Sequence, residues 1–382
     1  MTSSFAAPPL LARTATPLAA PGNGPHVHGA TTLRGVQATV LAALVPCVLV
    51  ALWNTGRQVN LALATHGAAL APSLRERVLE TLGIGLAPAR PVACVAHGAL
   101  YVLPALLVAF ATGLAWEILF ARLRHRARTP GLLALATVFT LLLPPATPLG
   151  DVALGVSFGV VFGKEVFGGT GMGFLPPAAL GAAFLQLAYP DALAQDPRWP
   201  ALAGYGGSDV FARVAGAGVD GVRAAGVTWT RAFLGDEPGR LGETSALACL
   251  LGAGVLVARG VVPWRAIVAT PVGLALGLLL RRALGDASSP ALALEVTDHL
   301  VLGGVAFGTV FLVADPTTAP LTEAGRVVQG IVAGVMVAVL RTAHPSHPDG
   351  TVAAVLLAGV LAPVVDHAAV ALDVRRRARR RG

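Results

Sequence analysis

The residues of this chain that could do chemistry are ionisable groups stranded in apolar sequence. Glu117 follows Trp116 near the end of one apolar run, Lys164 and Glu165 interrupt a Gly-rich stretch, Asp315 follows another run in VADPTTAP, and Asp366 lies beyond Pro363 inside the last. An Asp or Lys at the centre of a membrane helix costs about 2.5–3.5 kcal/mol even on gentle insertion scales, so each such group calls for a compensating role. The plain roles are an ion pair between Lys164 and Glu165, and a Glu117 side chain that reaches the polar interface. The chemical role is a path for a hard cation, because carboxylates and carbonyls freed at helix breaks are what sodium would bind. On that reading Glu117, Glu165, Asp315 and Asp366 are the candidate cation ligands.

The segment GKEVFGGTGMGF, Gly163 to Phe174, places glycines beside a lysine. It is not a phosphate loop, since Gly-x-x-x-x-Gly-Lys-Ser/Thr is absent and no strand precedes it. Gly168 and Gly169 instead permit close backbone approach to a flat cofactor or to a neighbouring helix. His26, His28, His299, His344, His347 and His367 show no helical i, i+4 pairing suited to haem or zinc. Cys47, Cys94 and Cys249 stand singly, without Cys-x-x-Cys spacing, so neither a disulfide framework nor an iron–sulfur cluster is expected.

The elements that must position these groups are membrane helices. Of 382 residues, 55% are hydrophobic and 13% charged, and the mean hydropathy is +0.71; no soluble globular chain has this balance. Continuously apolar runs rich in Ala, Leu, Val and Gly exclude the alternating pattern of a transmembrane barrel. The expected fold class is all-α: a polytopic membrane protein of about ten transmembrane helices, at 36–53, 92–116, 131–149, 152–163, 174–189, 244–258, 261–280, 296–314, 327–340 and 351–372. The fourth and fifth are short and Gly/Pro-interrupted, which predicts broken helices lining a site. LGVSFGVVF (Leu154 to Phe162) returns as LGGVAFGTVF (Leu302 to Phe311), pairing Phe158 with Phe307 and Phe162 with Phe311. An internal repeat and chance similarity among small-residue helices are both open readings of that match.

The net charge of +8 does not mark a nucleic-acid binder, because the arginines cluster beside apolar spans. Arg122, Arg124, Arg126 and Arg128 share one short loop, and six of the last eight residues are Arg. Both segments, and with them both termini, are expected on the cytoplasmic side; Arg281 and Arg282 dissent. The resulting organisation is a cytoplasmic N-terminal segment without a signal peptide (1–35), a first membrane half (36–189), an extracytoplasmic loop (190–243), a second membrane half (244–372) and an Arg-rich cytoplasmic tail (373–382).

GPHVHG (Gly24 to Gly29), WNTGRQ (Trp53 to Gln58), WEILFA (Trp116 to Ala121), LPPATPLGDVALGVSFGVVFGKEVFGGTG (Leu143 to Gly171), LGETSALACLLG (Leu241 to Gly252), ADPTTAP (Ala314 to Pro320) and LAPVVDH (Leu361 to His367) follow one another in order. In these blocks the chain resembles the NqrB/RnfD family: most closely the B subunits of the sodium-translocating NADH:quinone oxidoreductases and, less closely, their RnfD relatives in the Rnf complex. The resemblance implies a ten-helix subunit of the bacterial inner membrane, with five other subunits as partners and electrons passing through flavins and iron–sulfur centres to ubiquinone.

It also implies one FMN in phosphoester linkage to a threonine, attached by a flavin transferase, and room for a riboflavin. The family pattern resembles Asp-Gly-x-Ser-Gly-Ala-Thr, where this chain has DGVRAAGVTWT, Asp220 to Thr230. Without a gap the acceptor position is Gly226, which has no hydroxyl; with a two-residue insertion it is Thr228. The family's Gly-Gly-x-Trp-Glu aligns with Gly113 to Glu117, implying that Gly113 and Trp116 border quinone while Glu117 serves the proton or cation side. NADH is expected to bind elsewhere in the complex, since no dinucleotide fingerprint lies on a strand–helix pattern, and the isolated chain should be inactive with it. One cation moved against 100 mV costs about 2.3 kcal/mol, which one electron falling 100 mV supplies. A flavin-free channel or transporter, and a structural anchor, are the competing readings.

Overall fold

The computed structural model describes residues 32–66, 74–189, 228–237, 239–284, 289–343 and 350–381. GPHVHG, Asp220, Gly226, His344 and His347 fall outside the described residues. The helices in order are α1 (Leu33–His66), α2 (Leu74–Thr81), α3 (Pro91–Leu123), α4 (Leu132–Leu141), α5 (Leu149–Val160), α6 (Pro177–Ala188), α7 (Trp229–Leu234), α8 (Ala246–Ala258), α9 (Trp264–Ala283), α10 (Val296–Val301), α11 (Val305–Phe307), α12 (Glu323–Ala343) and α13 (Thr351–Arg381). A π-helical turn, Val161–Glu165, continues α5, and a second, Gly308–Val313, continues α11. Among the described residues there is no strand.

Each apolar run became helix. Five helices, α1, α3, α9, α12 and α13, are long and apolar enough to cross a membrane, and α4, α6 and α8 are shorter apolar helices. Their outward faces carry Leu49, Leu107, Leu279 and Val364, all more than half exposed, as a lipid-facing surface requires. Inside, Phe139 and Phe307 are fully buried in one core shared by α1, α3, α4, α5, α6 and α8. The most extensive pairing joins α9 and α12 through small residues; a Cβ on Gly330 would stand 2.7 Å from that of Ala269.

The spans differ from the expected ones where polar partners come from within the chain. α1 runs on through WNTGRQ to His66 rather than stopping near residue 53. Asn54, Gln58 and Asn60 are buried there, and each has an internal hydrogen-bond partner. α13 likewise continues as helix through the Arg-rich tail. The span at 296–314 breaks at Leu302–Gly304, where the buried Arg341 of α12 donates to His299 O at 2.7 Å and to Leu302 O at 3.1 Å. Those bonds satisfy carbonyls that the break leaves without helical partners. Arg281 and Arg282, the dissenting pair, are also engaged: Arg281 with Thr342 Oγ1, and Arg282 with the Leu292 and Leu294 carbonyls.

The repeated segment has a shared local structure. Phe158 and Phe162 meet with ring centroids 4.7 Å apart, and their counterparts Phe307 and Phe311 meet at 5.0 Å. Each pair is followed or overlapped by a π turn. A π turn leaves the i→i−4 ladder locally and is enriched at functional sites.

Candidate functional site at the two π turns

The two π turns line one cavity of about 60 Å³, bordered by Gln37 of α1, Gly131 before α4, Lys164, Gly169, Phe311 and Asp315. That volume is room for a few waters or for a partly dehydrated ion.

Lys164 does not pair with Glu165. Its Nζ donates to Glu117 Oε1 of α3, and both side chains are buried, at 2% and 4% exposure. Glu117 therefore does not reach an interface; it neutralises the cation in the cavity wall. Glu165 is turned the other way, its main-chain carbonyl accepting from Arg124 Nη1 and its carboxylate lying 4.0 Å from the same guanidinium. The Arg-rich loop between α3 and α4 is thus tied to the first π turn.

The glycine loop beyond it is shaped by backbone that side chains avoid. Gly168, Gly169 and Gly171 have φ of 111°, 118° and 85°. Gly169 faces Thr129, whose methyl carbon would lie 3.0 Å from an added Cβ, and Thr129 Oγ1 accepts from Thr170 N at 3.3 Å. The close approach expected of these glycines is filled at Gly169 by the neighbouring loop, while the nearest atom to a Cβ on Gly168 would be Met172 Cγ at 4.0 Å.

The remaining expected site residues fall at different distances from the cavity. Asp315 borders it, its carboxylate accepting from Thr317 N at 3.0 Å, from Thr317 Oγ1 at 2.9 Å and from Thr318 Oγ1 at 3.2 Å. Asp366 is not among the lining residues. From α13 it accepts from Leu321 N at 2.7 Å and Thr322 N at 3.1 Å, and Thr322 in turn caps α12 through Gly325 N. Among the described residues no three His, Cys, Asp or Glu side chains gather as a metal cage. Trp116 Nε1 donates to Ser157 Oγ at 2.8 Å, joining α3 to α5. Gly113 is buried against Leu132 Cδ1, the flexible end of an α4 side chain that stands where a planar ligand would approach the backbone.

Thr228 is exposed at the N-cap of α7, accepting from Arg231 N at 3.3 Å. The turn after α7 is held by α1: Asn54 Nδ2 donates to Glu237 O at 2.7 Å, Gln58 to Asp236 Oδ1 at 3.4 Å, and Arg57 and Arg231 both pair with Asp236. WNTGRQ therefore serves as the dock for the Thr228-bearing helix. Sequence reading flagged the motif without finding that use. It also missed Gln37 and Thr129, whose only signal was polarity inside or beside an apolar run.

A lipid-facing exterior, two spans ending in π turns that line one cavity, and a buried ion pair whose lysine borders it define a polytopic α-helical membrane protein built around an internal site. The sequence profile of the NQR2, RnfD, RnfE family matches residues 22–373, and the chain belongs to that family. It is 41% identical over 353 residues to the B subunit of the Na(+)-translocating NADH-quinone reductase of Azotobacter vinelandii, covering 92% of this chain and 88% of that one. The corresponding B subunits of Pseudomonas aeruginosa and Chromohalobacter salexigens are 38% and 40% identical, over 94% and 93% of this chain and 89% and 86% of theirs.

Proposed function

We propose that the chain is the B-type membrane subunit of a Na+-translocating NADH–quinone reductase, a redox-driven sodium pump that acts only as an assembled complex. The observation that carries this is the cavity at the two π turns, with Lys164 in its wall and Glu117 buried behind it as the lysine's partner. A sealed ion pair beside a small cavity keeps the local charge balanced, and the Asp315 carboxylate on its border offers hard oxygen donors to a passing cation. Glu165 lies beside this path, and Asp366 supports it by holding the start of α12. Five further subunits are the partners, and the complex sits in the bacterial inner membrane with both termini of this chain cytoplasmic.

The flavin reading rests on Thr228. Its side chain is exposed, its oxygen already stands at a helix N-cap, and α7 is fastened to α1 through Asp236 and Glu237. These residues fit an FMN in phosphoester linkage made by a flavin transferase. Bound there, FMN would supply one- and two-electron transfer; the chain's own part is to hold it by one hydroxyl on a fixed short helix. Riboflavin is a second candidate flavin. Quinone is the electron acceptor, and Gly113 and Trp116 border its proposed approach along α3 once Leu132 turns aside.

The test is complementation. A strain lacking this subunit, given the wild-type gene, should regain NADH–quinone turnover stimulated by sodium, and the tryptic peptide containing Thr228 should carry the mass of FMN. Restored assembly without sodium-stimulated turnover overturns the pump reading. A peptide of unmodified mass overturns the covalent flavin.

A further inference from the structure

Cys47 of α1 and Cys249 of α8 are separated by 202 residues, yet their sulfurs lie 3.9 Å apart. Both are free thiols, 2% and 1% exposed, inside the shared core. The approach is imposed by the backbone. One turn away, a Cβ on Gly252 would lie 2.5 Å from Ala43 O and 2.8 Å from Phe311 Cζ, so only glycine lets the two helices come so close. Cys94, by contrast, faces Asn60 Nδ2 at 3.8 Å and the Pro88 carbonyl at 3.4 Å.

We propose that Cys47 and Cys249 form a reversible thiol–disulfide site that clamps α1 to α8, oxidised by a membrane-soluble quinone. The sulfurs need to close by about 1.9 Å to reach disulfide bonding distance. Two S–H bonds break and one S–S bond forms; the two electrons and two protons pass to the quinone, which leaves as quinol. Burial in a lipid-embedded core excludes charged, water-borne disulfides as exchange partners, and the oxidant is of the apolar two-electron class that dissolves in the bilayer and meets the thiols when α1 and α8 part transiently. The bond would join the first membrane half to the second.

The intact complex in its membranes, without NADH, is treated with a fully substituted benzoquinone, denatured, alkylated and digested. The expected product is the Cys47 peptide joined to the Cys249 peptide, lighter by two hydrogens, released by dithiothreitol and absent in Cys249→Ala, with Cys94 alkylated in every sample. Joining by diamide but not by quinone overturns the oxidant; alkylation of both thiols under either reagent overturns the site. Neither result depends on sodium-stimulated turnover, so failure here is separate from failure of the pump reading.

Discussion

Lys164 and Glu117 meet across the gap between the first π turn and α3, and neither side chain is more than 4% exposed. A pair sealed in this way is costly to break from one side, because the survivor is left charged and desolvated. Glu117→Gln should lower the stability of the complex by about 3 kcal/mol and reduce sodium-stimulated turnover. Adding Lys164→Met should recover the stability without the turnover. Thermal unfolding and NADH–quinone kinetics at varied sodium read the two effects separately; turnover that recovers with stability would confine the pair to a structural role.

Asn54→Ala should loosen α7. It strips a buried carbonyl, Glu237 O, of its 2.7 Å donor, a loss of about 1–3 kcal/mol. Amide exchange over 229–237 should accelerate while that of α3 stays unchanged, and the flavin-bearing fraction should fall.

At Thr228 two substitutions separate the cap from the ester. Thr228→Ser keeps the oxygen that accepts from Arg231 N and should keep both helix and flavin. Thr228→Ala should cost about 1 kcal/mol in the cap and abolish the FMN mass shift. A flavin that persists in Thr228→Ala would move the acceptor to another residue.

Gly168 and Gly169 give a paired test of the loop beside the cavity. Both have φ above 110°, so alanine at either should cost about 1–3 kcal/mol in backbone strain. Gly169→Ala must also displace Thr129, whose methyl would be 3.0 Å away. It should therefore disturb the sodium response of turnover, and Gly168→Ala should not.

The fold was legible because apolar runs long enough to cross lipid have few alternatives to helix. Repeated phenylalanines marked both segments that end in π turns, although nothing in LGVSFGVVF indicates a π turn rather than an α one. The site was legible in part. The cost of a charge in lipid singled out Glu117, Lys164 and Asp315, but the partner of Lys164 could not be read: Glu165 is adjacent in sequence, and Glu117 becomes the neighbour only when α3 packs on α5. The same holds for Cys47 and Cys249, which look solitary along the chain. Asp366 had the same signal as Asp315 and turned out to hold Thr322 at the start of α12, because an apolar sequence setting marks a constrained carboxylate without saying what constrains it. The end of α1 was misjudged since Asn54, Gln58 and Asn60 read as the polar limit of a span. Their hydrogen bonds to the turn after α7 and to His97 remove the reason for the helix to stop.

At 34 residues and about 1.5 Å of rise each, α1 is roughly 51 Å long, against a hydrocarbon thickness of about 30 Å. Asn54 comes about 31 Å along from Leu33 by the same rise, near where the oily layer is used up. The turns beyond it pack on α3 rather than needing lipid, and α7 is moored to them. If Thr228 is the acceptor proposed above, an enzyme working from the aqueous phase can load it without ever wading into the bilayer.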